Sequence, residues 1–101
     1  MEKNLTKTPK SYMLRQNYPN PFNPTTTIEY SIPKEVKSEM SKVKMIIYDV
    51  LGKEVATLVN TEQRPGNYEV KWNAADYASG IYFYTLTAGD FVSTKKLLLI
   101  K

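Results

Sequence analysis

The stretch "YPNPFNPTTTIEYSI", Tyr18 to Ile32, sets three prolines and two asparagines in seven positions and then changes into alternating threonines and apolar residues. Each proline fixes φ near −65° and removes a backbone donor, and the residue before it is pushed into extended conformations. "YPNPFNP" therefore reads as an irregular corner that neither a helix nor a central strand accommodates. Asn20 and Asn23 are suited to Asx-turns, and Phe22 between them reads as a plug over one end of a core. From Thr25 the pattern is a strand: Thr26, Ile28, Tyr30 and Ile32 share one face and Thr27, Glu29 and Ser31 the other, until Pro33 stops it. A proline corner before such a strand prevents the preceding segment from continuing in register and covers a sheet end with backbone that offers few donors for edge pairing.

The same period of two recurs outward from this point. On the N-terminal side, residues 1–11 are polar and read as a flexible linker, and order is expected from Tyr12, with a first strand in "YMLRQNY" placing Tyr12, Leu14 and Gln16 on one face. On the C-terminal side, "KEVKSEMSK" (Lys34 to Lys42) reads as a charged loop. "VKMIIYDVLGKEVATLV" (Val43 to Val59) reads as two strands around a turn supplied by Gly52. "NTEQRPGN" (Asn60 to Asn67) reads as a turn-rich connection. "YEVKW" alternates with Tyr68, Val70 and Trp72 inward, and Trp72 is expected to be the largest core side chain. "NAADYASG" is a loop closed by Gly80, and "IYFYTLT" is apolar on both faces, as a central strand would be. "AGD" at 88–90 is a tight turn into the last strand, "FVSTKKLLLIK". Six or seven strands at regular spacing and no long amphipathic helix predict one all-β domain over 12–101, an antiparallel β-sandwich.

Composition narrows the function. The chain has 101 residues, 42% hydrophobic and 24% charged, which fits one ordinary globular core. It has no cysteine and no histidine. Disulfides, thiolate metal sites, Ser-His and Cys-His pairs and the commonest general base are thereby absent, and no cofactor is expected. Asp49, Asp76 and Asp90 lie at predicted turns or strand ends without a partner at a spacing that specifies acid/base work, and turn-forming roles explain them. The net charge of +4 is carried by lysines that mostly alternate with apolar residues on strands, unlike the one-sided patch of a nucleic-acid binder. No segment is long and apolar enough for a membrane-spanning helix or a signal peptide, so an export signal would lie on a longer parent protein or in a feature other than a signal peptide.

Two features remain. Eight tyrosines, three phenylalanines and one tryptophan either pack the core or build a stacking face for sugars, with Tyr12, Tyr18 and Tyr77 as the residues to test. "TKKLLLIK" (Thr94 to Lys101) is either an ordinary buried strand or a strand presented to a partner, since a terminal strand is displaced more cheaply than an internal one.

Five blocks in order, "YPNPFNPTTTIEYSIP", "IYDVLGKEVATLVN", "PGNYEVKWNA", "ASGIYFYTL" and "KKLLLIK", resemble the C-terminal sorting domain of type IX secretion system cargo, type A. The resemblance implies a seven-stranded immunoglobulin-like sandwich that is an address, not an enzyme. It implies recognition by outer-membrane secretion machinery after an upstream cargo has reached the periplasm, with the cargo ending at the cell surface or outside the cell. It further implies removal by a sortase-like protease cutting somewhere in residues 1–13. The family's terminal motifs fall on Gly80, Tyr82, Lys95, Lys96, Leu97, Leu98, Leu99, Ile100 and Lys101, which are the expected recognition residues. A weak homodimer is compatible with this reading. The competing reading from another class is a carbohydrate-binding or adhesive sandwich appended to a secreted enzyme.

Overall fold

The computed structural model describes residues 8–34 and 40–101. Most of the expected linker at 1–11, and residues 35–39 of the charged stretch after Pro33, lie outside the described residues. Seven strands, β1 (Met13–Leu14), β2 (Thr25–Ile32), β3 (Ser41–Tyr48), β4 (Glu54–Gln63), β5 (Gly66–Asn73), β6 (Gly80–Ala88) and β7 (Phe91–Leu99), form two antiparallel sheets. Their orders are β1-β2-β5 and β4-β3-β6-β7. Strands 2 and 5 pair in one sheet while 3 and 6 pair in the other, the crossed connectivity of an immunoglobulin-like sandwich. No described residue is helical.

The period of two decides which side chains meet. Ile28, Tyr30 and Ile32 of β2, Val43, Met45 and Ile47 of β3, Trp72 of β5, Tyr84 and Leu86 of β6, and Leu97 and Leu99 of β7 fill the space between the sheets. Trp72 is buried as expected and meets Phe22, Tyr77 and Tyr82, with ring centroids 5.4–5.8 Å apart. β6 lies between β3 and β7, with Tyr82, Tyr84 and Leu86 facing the core and Ile81 and Phe83 on the outer face.

Three boundaries differ from the sequence reading. β4 continues through Asn60–Gln63, where turns are expected from the residue types. Ser41, Lys42, Val43 and Lys44 of β3 supply a ladder for Gln63, Glu62, Thr61 and Asn60, so pairing overrides turn propensity and leaves Arg64 and Pro65 as the connection. The charged loop after Pro33 is correspondingly shorter, because Ser41 and Lys42 belong to β3. The first strand is only two residues long: its alternation breaks at Gln16, which is exposed, and Asn17, which is buried.

That break has a partner in the opposite sheet. The Tyr84 hydroxyl, at the end of a fully buried ring, donates to the Arg15 carbonyl at 2.7 Å and accepts from the Asn17 amide at 2.8 Å. The chain here breaks its pairing with β2 between Arg15 and Tyr18, where the ladder resumes opposite Thr27, and the phenol satisfies two backbone groups that the ladder does not reach. Burial pushes the Tyr84 phenol up to about 12, against the opposing effect of the Asn17 amide. Burial also raises Tyr30 and Tyr82. A raised phenol favours the folded state below the unfolded-state pKa near 10 and loses that contribution as pH climbs toward the folded value. We expect stability to fall between about pH 10 and 12, and Tyr84→Phe to make that fall shallower. At neutral pH the same variant should lose about 1–3 kcal/mol, because it orphans the Arg15 carbonyl and Asn17 amide. Denaturant melts of both proteins at pH 8, 10 and 11 check both effects.

Candidate functional site

The two groups of expected recognition residues come together as register partners on adjacent strands. Gly80 faces Leu99, Tyr82 faces Leu97, and Lys96 and Lys95 face Phe83 and Tyr84. Gly80 opens β6 at φ +149°, a region that side chains avoid, so a glycine is required there by the backbone. Tyr82 is nearly buried; its hydroxyl donates to the Ala78 carbonyl at 2.7 Å, and its ring packs edge-on against Trp72 and Tyr77. A tyrosine near the start of the sixth strand bonding back to the preceding corner is the tyrosine-corner arrangement of such sandwiches. It fixes the loop Ala74–Ser79.

The last residues split by the pleat. Leu97 and Leu99 are fully buried, Lys96, Ile100 and Lys101 are exposed, and Lys95 and Leu98 are half-buried. Lys101 docks on the loop that Tyr82 holds: its ammonium donates to the Ala75 and Tyr77 carbonyls at 2.5 and 2.8 Å, and its amide donates to the Ser79 hydroxyl at 3.0 Å. The side-chain cation thus satisfies two loop carbonyls by charge-assisted hydrogen bonds.

β7 is an edge strand, and four outward backbone groups at its C-terminal end, counting the Ile100 amide just beyond it, have partners that sequence reasoning missed. Leu98 turns its amide to the Asn20 side-chain oxygen at 3.0 Å and its carbonyl to the Phe22 amide at 3.0 Å. The Ile100 amide donates to the Phe22 carbonyl at 3.0 Å, and the Lys96 carbonyl accepts from the Gln16 side chain at 2.7 Å. Phe22 pairs with Leu99 in the parallel sense. The proline corner is therefore where the chain switches sheets, from pairing with β2 at Tyr18–Thr27 to sealing the outer half of β7. Its interior is held by Asn17 and Thr26: the Asn17 amide group donates to the Thr26 hydroxyl, which donates to the Pro19 carbonyl, each at 2.9 Å. Phe22 itself is 2% exposed and packs on Trp72, the plug its position suggested. The signal that identifies this arrangement is "NPFNP", in which the Asn20 side chain and the backbone amide and carbonyl of Phe22 do the bonding.

Other candidates dissolve into structure. The Asp49 carboxylate accepts from the Leu51 and Lys53 amides at 2.9 and 3.0 Å, a turn-forming role. Tyr12 stacks on Phe91 at 5.1 Å, and Tyr77 packs on Trp72 with its hydroxyl on the Val55 carbonyl, so two of the three rings considered for sugar stacking are spent. Tyr18 is half exposed and its hydroxyl bonds to Glu29. A depression of about 320 Å³ on the smaller sheet contains Glu29 and Glu69, and Glu29 faces Arg15 at 3.9 Å. Among the described residues no three acidic, histidine or cysteine side chains cluster as a metal would need.

Compared with known families, residues 16–101 match the secretion system C-terminal sorting domain. No curated protein matches the chain. The family match spans well over half of the sequence, so the chain belongs to the type IX secretion C-terminal sorting domains, whose signal implies a secreted or cell-surface cargo and a secretion machinery that reads it.

Proposed function

We propose, with that membership as premise, that this domain is a non-enzymatic address that takes an upstream cargo through the periplasm and across the outer membrane. The observation that supports this most is the convergence of Gly80, Tyr82 and Lys95–Lys101 into one corner of the sandwich, with Lys101 tied to the loop before β6. In this reading the recognised object is a folded corner. Gly80 and Tyr82 shape it, Leu97 and Leu99 anchor it in the core, and Lys96, Leu98, Ile100 and Lys101 present it.

A sortase-like protease removes the address by cutting within residues 1–13, ahead of the point where Leu14 enters the core. Cleavage there spares the hydrogen bonds of Gln16, Asn20 and Phe22, so the released domain keeps its fold. A reporter with its own signal peptide, fused ahead of residues 1–101 and expressed in a type IX-competent bacterium, should appear outside the cell. Retention of that reporter in the periplasm would reject the proposal.

A further inference from the structure

The outer half of β7 cannot be read by strand addition while the proline corner is in place, because the Lys96 carbonyl, both backbone groups of Leu98 and the Ile100 amide are already bonded. What this corner offers instead is a side-chain surface. In an antiparallel sheet with one face buried, the other face is normally polar. Here Ile81 and Leu98 sit opposite one another on the outer face, and Ile81 and Ile100 are 41% and 50% exposed. Pro21 stands between two shallow depressions. One, of about 220 Å³, is lined by Ile81, Leu98 and the Lys96 side chain; the other is bordered by Ile100. Neither contains an acidic residue, and Lys96 is the charged one.

We propose that Pro21, Ile81, Leu98 and Ile100, with Lys96 at their margin, form the surface by which the export receptor grips the domain, and that the receptor meets it with apolar side chains beside a carboxylate. The inference rests on the sorting reading above and adds to it Pro21 of the proline corner and Ile81 on the outer face of β6. A second copy of the chain is the less fitting occupant. A twofold contact through this patch would bring Lys96 toward its own equivalent with no acidic neighbour in either depression to offset the repulsion. The acid-free lining suits a partner that brings the negative charge itself.

The test uses the reporter fusion with Ile81→Thr/Leu98→Thr, Lys96→Gln, Lys96→Glu, and a chain lacking Lys95–Lys101. Threonine is favoured in strands and these positions face outward, so the double variant keeps the ladder and the core. Thermal melts of the purified 101-residue variants verify this. The double variant should export about tenfold less, equivalent to about 1.4 kcal/mol of lost receptor affinity, and Lys96→Glu should fall below Lys96→Gln. Wild-type export from a folded double variant would overturn the inference, as would equal export from the two Lys96 variants. If the truncated chain is also exported normally, the sorting reading itself fails. If it is trapped while the double variant and Lys96→Glu pass, only the surface assignment fails. Sedimentation showing a dimer that the double variant converts to a monomer, with export intact, would assign the patch to self-association instead.

Discussion

A reporter fused to the chain without Lys95–Lys101 should be retained in the periplasm, with its extracellular fraction expected at the level of a fusion that carries no sorting domain. The deletion acts through more than the loss of exposed lysines. Leu97 and Leu99 are completely buried, and burying a leucine contributes about 1.5–3 kcal/mol each relative to leaving it in water. Without them, Gly80 and Tyr82 lose their register partners, and Phe22 loses the strand to which both its backbone groups bond. The address and the wall of the sandwich behind it disappear together. Cell fractionation with immunoblotting of the reporter reads the outcome directly. This deletion therefore tests whether the tail is needed, whereas the outward-facing substitutions test whether its surface is read.

Phe22→Ala should be the most damaging single change outside the strands, with a loss of about 3–5 kcal/mol, as found for large-to-alanine changes at well-packed aromatic sites. The ring is nearly inaccessible and lies 5.8 Å from the Trp72 ring, between prolines that restrict how far the segment can collapse into the space left behind. A domain of this size commonly has a total stability of only about 5–15 kcal/mol, so the variant sits near its folding threshold. Urea denaturation of both proteins gives the difference. A loss under about 1 kcal/mol would mean that Phe22 is not a plug but a surface residue of the corner.

The fold was legible because alternation carries most of it. Ile28, Tyr30, Val43, Met45, Ile47, Trp72, Tyr84 and Leu86 are spaced by two within their strands, and a two-sheet core buries such sets. Pairing was less legible than alternation. Asn60–Gln63 is rich in residues that suit turns, yet the free ladder of Ser41–Lys44 makes it strand, and nothing local in the sequence announces that partner.

The candidate site divided in the same way. The sequence marked Gly80, Tyr82 and the last seven residues, and it marked "YPNPFNP" as a corner that covers a sheet end. It did not show that these belong to one another. The bond from Asn20 to Leu98 joins positions 78 apart, and that from Gln16 to Lys96 joins positions 80 apart, separations over which neither periodicity nor turn chemistry carries information. Nor could alternation alone reveal that Tyr84 reaches through the core to hold Arg15 and Asn17, the two residues that flank the break in pairing with β2.

Amide hydrogen exchange along β7 tests the seal most directly. Ladder pairing to β6 runs without a break from Gly80↔Leu99 to Ala88↔Phe91, so the amides of Val92, Thr94 and Leu98 all point away from β6. Only the last of these meets the proline corner, as does the amide of Ile100 beyond the strand. Leu98 and Ile100 should exchange slowly, in step with amides of the central strands, while Val92 and Thr94 exchange fast. Leu98 and Ile100 exchanging as fast as Thr94 would show that the edge stands open and that the sorting strand is presented as a bare ribbon.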